Sequence, residues 1–424
     1  MALSRIWSAF IIIAILVAGI KCVFIPGNAD IFSWMVIGKA DDPLNPLQMN
    51  GIIETCWVAI ELSLKLVGIM ALFMGFMNIA ERAGGIRLLS RIIGPFFGKL
   101  FPELPKGHPA MGHMMMNFSA NLLGLDNAAT PFGLKAMESL QELNPNKSVA
   151  SNSQVMFLCL HASGLTLIPV SIIAMRASLN ASNPTDIFIP CMIATFVATM
   201  AAMLIVSYKQ KIKVFQPVII MWVLGISSII ALLVIYLHSL SADGVQSFSR
   251  VLSNGLILLI FLLIILGALY KKTDVFDAFI EGAKGGFETA VKIMPYLVGM
   301  LVAICMLRTS GTLGVLIDGL KNFFAMFGTD TRFVDALPTA LMKPMSGSGA
   351  RGMMVEAMTI HGADSFAGRL SGILQGTSDT TFYVVAVYFG AVSIKNTRYS
   401  IGAMLLADLV GIITSIILAY LFFG

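Results

Sequence analysis

Val218 to Leu237, VIIMWVLGISSIIALLVIYL, runs for twenty residues without one charged side chain. A helix of that length rises about 30 Å, the thickness of a bilayer's hydrocarbon core. Working outward, Ile11–Gly19, Phe188–Val206 and Gly255–Leu269 read the same way, as spans or span cores. The whole chain of 424 residues is 57% hydrophobic and only 12% charged, where a soluble domain carries roughly 25% charged residues. Mean hydropathy is +0.86. This composition excludes an ordinary soluble enzyme, a disordered chain, a fibre and a disulfide-stapled secreted scaffold. An all-α polytopic membrane protein is expected, with the lipid bilayer as its first partner.

The formal charge of +5 implies no nucleic-acid partner, because the lysines and arginines stand in loops beside spans. Cys22, Cys56, Cys159, Cys191 and Cys305 are scattered, with no CxxC pair. They read as small hydrophobes, so neither a metal site nor a disulfide framework is implied. The 27 methionines read as core and lipid-facing filler. At the N-terminus an apolar run follows Arg5, but Lys21-Cys22-Val23-Phe24 offers no small-x-small cleavage pattern, so an uncleaved anchor helix is expected.

Nine spans are expected, at about Leu3–Phe24, Ile53–Ala80, Val149–Met175, Asp186–Ser207, Val214–Leu237, Val251–Tyr270, Phe279–Leu307, Asp364–Val392 and Tyr399–Phe423. Ala110–Leu140 and Ala336–Met358 are semi-polar, glycine-rich and too short to cross cleanly. They read as two re-entrant hairpins, whose backbone must be covered by protein or face a water-filled cavity. Positive clusters at Arg82–Lys106, Lys209–Lys213, Lys271–Lys272 and Lys395–Arg398 fall on one side if each hairpin returns to its own side. The N-terminus is then cytoplasmic, in a multi-pass protein of the bacterial cytoplasmic (inner) membrane.

Glu54, Glu61 and Lys65 recur at one constant offset as Glu281, Glu288 and Lys292, and Gly84 recurs at the same offset as Gly311. Ala129, Ala136 and Met137 recur at a slightly shorter offset as Ala350, Ala357 and Met358. Ser163 and Thr166 recur at a shorter one again as Thr377 and Thr380. The offset shrinks only between blocks, as shortened loops would make it. The chain therefore reads as two copies of one unit, each holding four spans and a hairpin, joined by one connecting span. An odd connector turns the second copy upside down. Inverted repeats with broken helices place a transporter's site near the membrane midplane, at the repeat interface.

In the first hairpin Asn117 and Asn121 are spaced i,i+4 and share a helix face. Asp126-Asn127-Ala128-Ala129-Thr130-Pro131 reads as a helix start with a cap and an early proline. Free N–H groups at such a start suit an anionic or polar ligand, and a hairpin that merely caps itself is the plainer alternative. The second hairpin, Pro344-Met-Ser346-Gly-Ser348-Gly-Ala-Arg351-Gly352, lets backbone approach a ligand closely but lacks the GxxxxGK[ST] pattern of nucleotide hydrolysis. Arg351 either meets a ligand or pairs with an acid such as Glu356. In span eight, Gln375, Thr377, Ser378, Asp379 and Thr380 stand together. An ionisable group at that depth costs about 2.5–3.5 kcal/mol, so Asp379 is expected to face a cavity or a partner. The related stretch in span three holds Ser163 and Thr166, with Pro169 as a helix break. These hydroxyls could also simply join helices.

Glu61–Lys65 and Glu288–Lys292 have the favourable i,i+4 order of an ion pair and are expected to be structural. Asp408 pairs with Arg369 or lines the pathway. His108 and His113 flank Pro109 on different faces. With no HExxH, GxSxG or clustered Cys/His set, no catalytic residue and no cofactor is implied, and the protein is not expected to be an enzyme.

Asn117 to Met137, NFSANLLGLDNAATPFGLKAM, resembles the signature of spore maturation protein A. Ser346 to Met358, SGSGARGMMVEAM, and Gln375 to Gly390, QGTSDTTFYVVAVYFG, look like spore maturation protein B. The resemblance implies a fusion of the two, with an A-like half over 1–210, connector helices over 211–278 and a B-like half over 279–424. Both halves are similar to the nucleoside recognition, or Gate, domain group, which resembles the membrane domain of ferrous iron transporters and, more distantly, concentrative nucleoside transporters. Asp126 departs from the family, which more often has glycine there. The resemblance implies movement of a small polar solute, nucleoside-like or anionic, or of an ion. In this reading Asp126–Thr130 and Gly347–Arg351 bind polar or anionic groups and Asp379 binds a cation, a proton or a hydroxyl-rich ligand. A non-transporting scaffold or regulator of envelope or spore maturation is the alternative. Small-residue helix faces leave room for a homodimer.

Overall fold

The computed structural model describes residues 2–38, 51–105, 107–122, 126–166, 168–240 and 242–424. These residues are almost wholly helical, and among them no strand occurs, only one isolated bridge between Val149 and Asn396. The helices in chain order are α1 (Ala2–Phe24), α2 (Ile31–Val36), α3 (Ile52–Arg82), α4 (Gly85–Phe97), α5 (Pro109–Leu122) and α6 (Asp126–Leu143). Next come α7 (Asn152–Ala162), α8 (Val170–Ser178), α9 (Phe188–Gln210), α10 (Pro217–His238), α11 (Ala242–Tyr270) and α12 (Val275–Thr309). The last six are α13 (Thr312–Ala325), α14 (Leu337–Met342), α15 (Gly347–His361), α16 (Phe366–Gly376), α17 (Thr381–Val384) and α18 (Ser400–Phe423).

By length and composition, α1, α3, α9, α12 and α18 are each able to cross a membrane, while α10 and α11 carry shorter apolar stretches over Pro217–Leu233 and Asn254–Tyr270. A nearly all-helical chain built on such helices is a membrane protein. Two of the nine expected spans are not continuous helices. In place of one helix over Val149–Met175, α7 ends at Ala162 and α8 starts at Val170. Ser163 turns its hydroxyl back onto the Cys159 carbonyl at 2.9 Å, Gly164 favours no helix, and Pro169 has no N–H to continue one. In place of one helix over Asp364–Val392, α16 stops at Gly376 and the chain turns helical again at Thr381, as α17 followed by a π turn over Val385–Phe389. Here Asp379 Oδ1 takes the Thr380 N–H at 2.6 Å, the local side-chain competition that unwinds a helix.

The breaks recur at the spacings of the sequence repeat. Gly84 and Gly311, the pair related by the longest offset, are both left-handed N-caps, of α4 and α13. Helices α7 and α16 end at Ala162 and Gly376, which keep the offset of Ser163 and Thr377.

The chain divides into two compact units. The first comprises Met1–Ala71, Ala174–Pro184 and Gly285–Gln375. In it α1 is tied to α12, by Trp7 Nε1 donating to Gly299 O at 2.9 Å and Lys21 Nζ to Ser310 O at 2.7 Å. Ala14, Ile31, Ile304, Met342 and Met353 form its apolar core. The fully buried Arg176 donates to Ala363 O at 2.6 Å and to Asp364 at 3.1 Å. Arg332 lies 5.1 Å from the centre of the Phe366 ring, so the chain enters and leaves the α14–α15 region at one end.

The second unit comprises Leu72–Ile173, Thr185–Lys284 and Gly376–Gly424. Its core gathers Met114, Phe118, Met137, Leu140, Phe157 and Tyr388 around the α5–α6 hairpin and α7. A capping box at Ser151 and Gln154 starts α7. Asn152 donates to Glu103 at 2.6 Å and accepts from Arg398 at 2.8 Å, so the chain likewise enters and leaves the α5–α6 hairpin at one end. Arg82 pairs with Glu281, and the start of α12 packs so closely on α3 that a Cβ at Gly282 would collide with the Met74 carbonyl and the Asn78 side chain. Gly282→Val is therefore expected to cost roughly 1–3 kcal/mol by overpacking. It should lower the melting temperature in detergent, whereas Gly225→Ala, where a Cβ meets open space, should leave it in place.

Candidate functional site at the helix breaks

In the second unit the two broken helices meet where they unwind: the Asp379 N–H donates to the Ala162 carbonyl at 2.6 Å. Around this crossing the i,i+4 spacing on α5 does what the sequence implies. Asn117, fully buried, donates from Nδ2 to Ala129 O at 2.6 Å, which turns its Oδ1 toward His161 Nδ1 at 3.0 Å. The Asn121 amide lies 2.8 Å from the same ring nitrogen. On the other side of the ring, His161 Nε2 faces Asp379 Oδ2 at 3.9 Å. His161 is 4% exposed and the Asp379 side chain 49%, so the pair joins a buried amide network to an open face. Asn117 Oδ1 can only accept and favours a proton on Nδ1, whereas the Asn121 amide nitrogen can only donate and favours a lone pair there, so the two asparagines make opposite demands on one ring nitrogen.

Tyr388 completes this wall, its ring 4.7 Å from that of His161. Its hydroxyl approaches Thr130 and Asn117 without a well-aligned hydrogen bond to either. Beside Asn121 opens a mainly apolar cavity of about 70 Å³, with Phe97, Phe118, Phe196 and Trp222 as walls and Asn121 and Thr199 as polar points.

The first unit holds a second polar cluster at the start of α15. Ser346 is the N-cap and accepts the Gly349 N–H at 3.0 Å, and its hydroxyl lies 3.2 Å from that of Ser348. Lys343, buried, donates to Gln375 O at 2.6 Å, and Gln375 Nε2 lies 3.4 Å from Gly347 O. Gln375 thus stands one residue before the end of α16, as His161 stands one residue before the end of α7.

Several expected partnerships differ. Glu356 pairs with Arg308 at 2.8 Å, not with Arg351, because Arg308 on α12 faces it across the buried side of α15. Among the described contacts Asp408 accepts from Thr381 at 2.7 Å, which does not test its expected pairing with Arg369, and Arg369 lies 3.8 Å from Asp364. The Glu61–Lys65 pair forms at 2.9 Å on an exposed surface. Glu288 is exposed, and the Lys292 side chain lies outside the described residues, as do those of Asp126 and Asn127. Ser163 and Thr166 bond the local backbone, and Thr377 bonds Ser415 on α18 at 2.8 Å. Thr380 is the buried N-cap of α17, and Ser378 is half-buried beside Asp379. His161, Lys343 and Tyr388 were not singled out by the sequence. For His161 the signal was available, since its repeat counterpart is Gln375. Among the described residues no three His, Cys, Asp or Glu side chains are grouped to hold a metal.

The model of the family described as Gate, nucleoside recognition, matches residues 63–209 and 290–395, which includes both clusters. The chain belongs to this family. It is 46% identical over 173 residues to spore maturation protein B of Bacillus subtilis, covering 41% of this chain and 96% of that protein. It is 44% identical over 150 residues to spore maturation protein A of the same organism, covering 35% of this chain and 76% of that protein. One chain thus covers most of two separate relatives, as a fusion of the two would. No solved structure matches.

Asn117→Leu removes two buried hydrogen bonds, to Ala129 O and to His161 Nδ1, with Asn121 still beside the ring nitrogen. It is expected to destabilise the second unit by about 1–3 kcal/mol in all, read as a fall in melting temperature. Asp379→Asn keeps an oxygen for the Thr380 N–H and is expected to melt with the wild type.

Proposed function

We propose that the protein moves a small polar solute or ion across the bacterial inner membrane, along a path lined by the unwound segments. The observation that carries this reading is the crossing of two broken helices at Ala162 and Asp379, with a half-exposed carboxylate against a buried histidine. Non-helical backbone at membrane depth is tolerated where protein or a water-filled cavity covers it, and charges there mark solute or proton pathways. Nine spans and two re-entrant hairpins in inverted repeats belong to the same proposal. Support comes from helix boundaries that recur at two offsets of the sequence repeat, Gly84 with Gly311 and Ala162 with Gly376, and from each hairpin's ends meeting at Glu103–Asn152 and Arg332–Phe366. The loop lysines and arginines support a cytoplasmic N-terminus.

The family's description favours a nucleoside-like solute, and the apolar, aromatic-walled cavity beside Asn121 is of a kind that takes a flat ring. Asp379 would carry the coupling proton or cation and Asn121 would orient the solute. Reconstituted protein on solid-supported membranes, challenged with nucleosides, phosphate and amino acids, should give a solute-dependent current or uptake. Asp379→Asn should abolish it while the variant stays folded. Full activity in that variant removes Asp379 from the path. Silence across the panel from folded wild-type protein moves the weight to a scaffold of envelope maturation.

A further inference from the structure

Helix α4 follows directly on α3, with only Ala83 and the left-handed Gly84 between them. Because α3 is long and apolar enough to span, α4 begins where a span leaves the hydrocarbon. One face of α4 is packed: Ser90 bonds Ser119 on α5 at 3.0 Å, and the Phe97 ring stacks on Phe118 with centroids 4.4 Å apart. Another face is open. Arg87 and Arg91, spaced i,i+4, form one exposed row, and Leu88 and Ile92, 59% and 47% exposed, form a second. With 3.6 residues per turn the two rows lie about 100° apart around the helix. Among the described residues neither guanidinium has a hydrogen-bond or ion-pair partner. Like charges at i,i+4 destabilise a helix, unless an anion stands against both.

The repeat separates shape from charge. Gly84 and Gly311 cap α4 and α13 alike, and α13 also exposes apolar side chains, Val315 and Leu316. At the places of Arg87 and Arg91, however, α13 has Gly314 and Asp318. Its lysine, Lys321, is matched by Asp335 at 2.8 Å. A half-exposed helix after a span is thus a property of the unit, whereas the unmatched cationic row is a property of α4.

We propose that Arg87 and Arg91 bind the phosphodiester headgroup of an anionic phospholipid, whose acyl chains cover Leu88 and Ile92. A helix with a basic row beside an apolar one lies in the headgroup region in this way. The apolar row decides for a lipid over a soluble phosphate, because it needs hydrocarbon next to the phosphate. The packed side of α4 carries Ile93, Phe96 and Phe97 to the cavity beside Asn121, so the headgroup site and the cavity share one helix. The assignment goes beyond the transport reading and requires lipid binding alone.

The test is native mass spectrometry of the full chain, purified in detergent and titrated with phosphatidylglycerol or phosphatidylcholine. Wild type should take up phosphatidylglycerol at least about tenfold more tightly, since each arginine at an anionic headgroup is worth about fivefold. Arg87→Gln with Arg91→Gln should keep its melting temperature, because both side chains are exposed and glutamine suits a helix. In that double variant the two lipids should bind within about threefold of each other. Each single variant should lose about fivefold, a second reading should the double variant melt early. Lys209→Gln with Lys213→Gln removes equal charge from another exposed cluster and should leave the preference in place. Equal uptake of both lipids by folded wild type, or an unchanged preference in the folded arginine variants, overturns the site. So does an equal loss in the lysine variant. Displacement of phosphatidylglycerol by glycerol 3-phosphate also overturns it, in favour of a soluble phosphate.

Discussion

The hydrogen bond from the Asp379 N–H to the Ala162 carbonyl answers the constraint on which the second unit depends. A helix that unwinds among apolar neighbours frees backbone groups that water cannot reach, and each must find another partner. Two helices that break beside each other can serve one another. The remaining groups are taken by side chains chosen for the purpose: the Ser163 carbonyl by Thr199 at 2.9 Å, the Thr380 N–H by Asp379. Continuous helices would avoid the problem. The chain instead keeps Gly164, Pro169 and Gly376-Thr-Ser-Asp-Thr380, residues that oppose helix on local grounds alone.

The two polar clusters solve the burial of charge differently. In the second unit the charge stays near an opening: Asp379 is half exposed, and the buried part of the network is made of amides and one imidazole. His161 is held on one side by Asn117 and Asn121, so only its Nε2 remains to respond to a proton or cation at Asp379. In the first unit the buried ions are mostly matched, Arg308 by Glu356 and Arg176 by Asp364. Such pairs contribute little net stability, but removing one partner leaves a costly unpaired charge.

Small residues decide where these clusters can form. Gly133 lets α6 approach Asn117 and Tyr388, since a Cβ there would meet the Asn117 Nδ2 and the Tyr388 hydroxyl at 2.8 Å. Gly411 admits Thr377 to α18, where it reaches Ser415. These contacts give the hydroxyls of the span-eight motif two separate tasks. Thr377 and Thr381 join helices, and Asp379 between them is left facing outward.

The sequence by itself determined the class of the protein and the rhythm of its breaks. Uncharged runs such as Val218–Leu237 can be buried only in lipid or protein. The repeat offsets that relate Gly84 to Gly311 and Ser163 to Thr377 recur as helix boundaries, because capping, glycine and proline effects are local. It also determined that Asn117 and Asn121 share a face, since that follows from helical period. Tertiary structure alone decided who meets whom. Glu356 met Arg308, Asp408 met Thr381, and His161 came to stand between two asparagines and Asp379. Those choices depend on which helices cross at a given depth, a property of packing between segments far apart in the chain. The carbonyl of Gln375 found Lys343 by the same route, and no spacing along the chain encodes it.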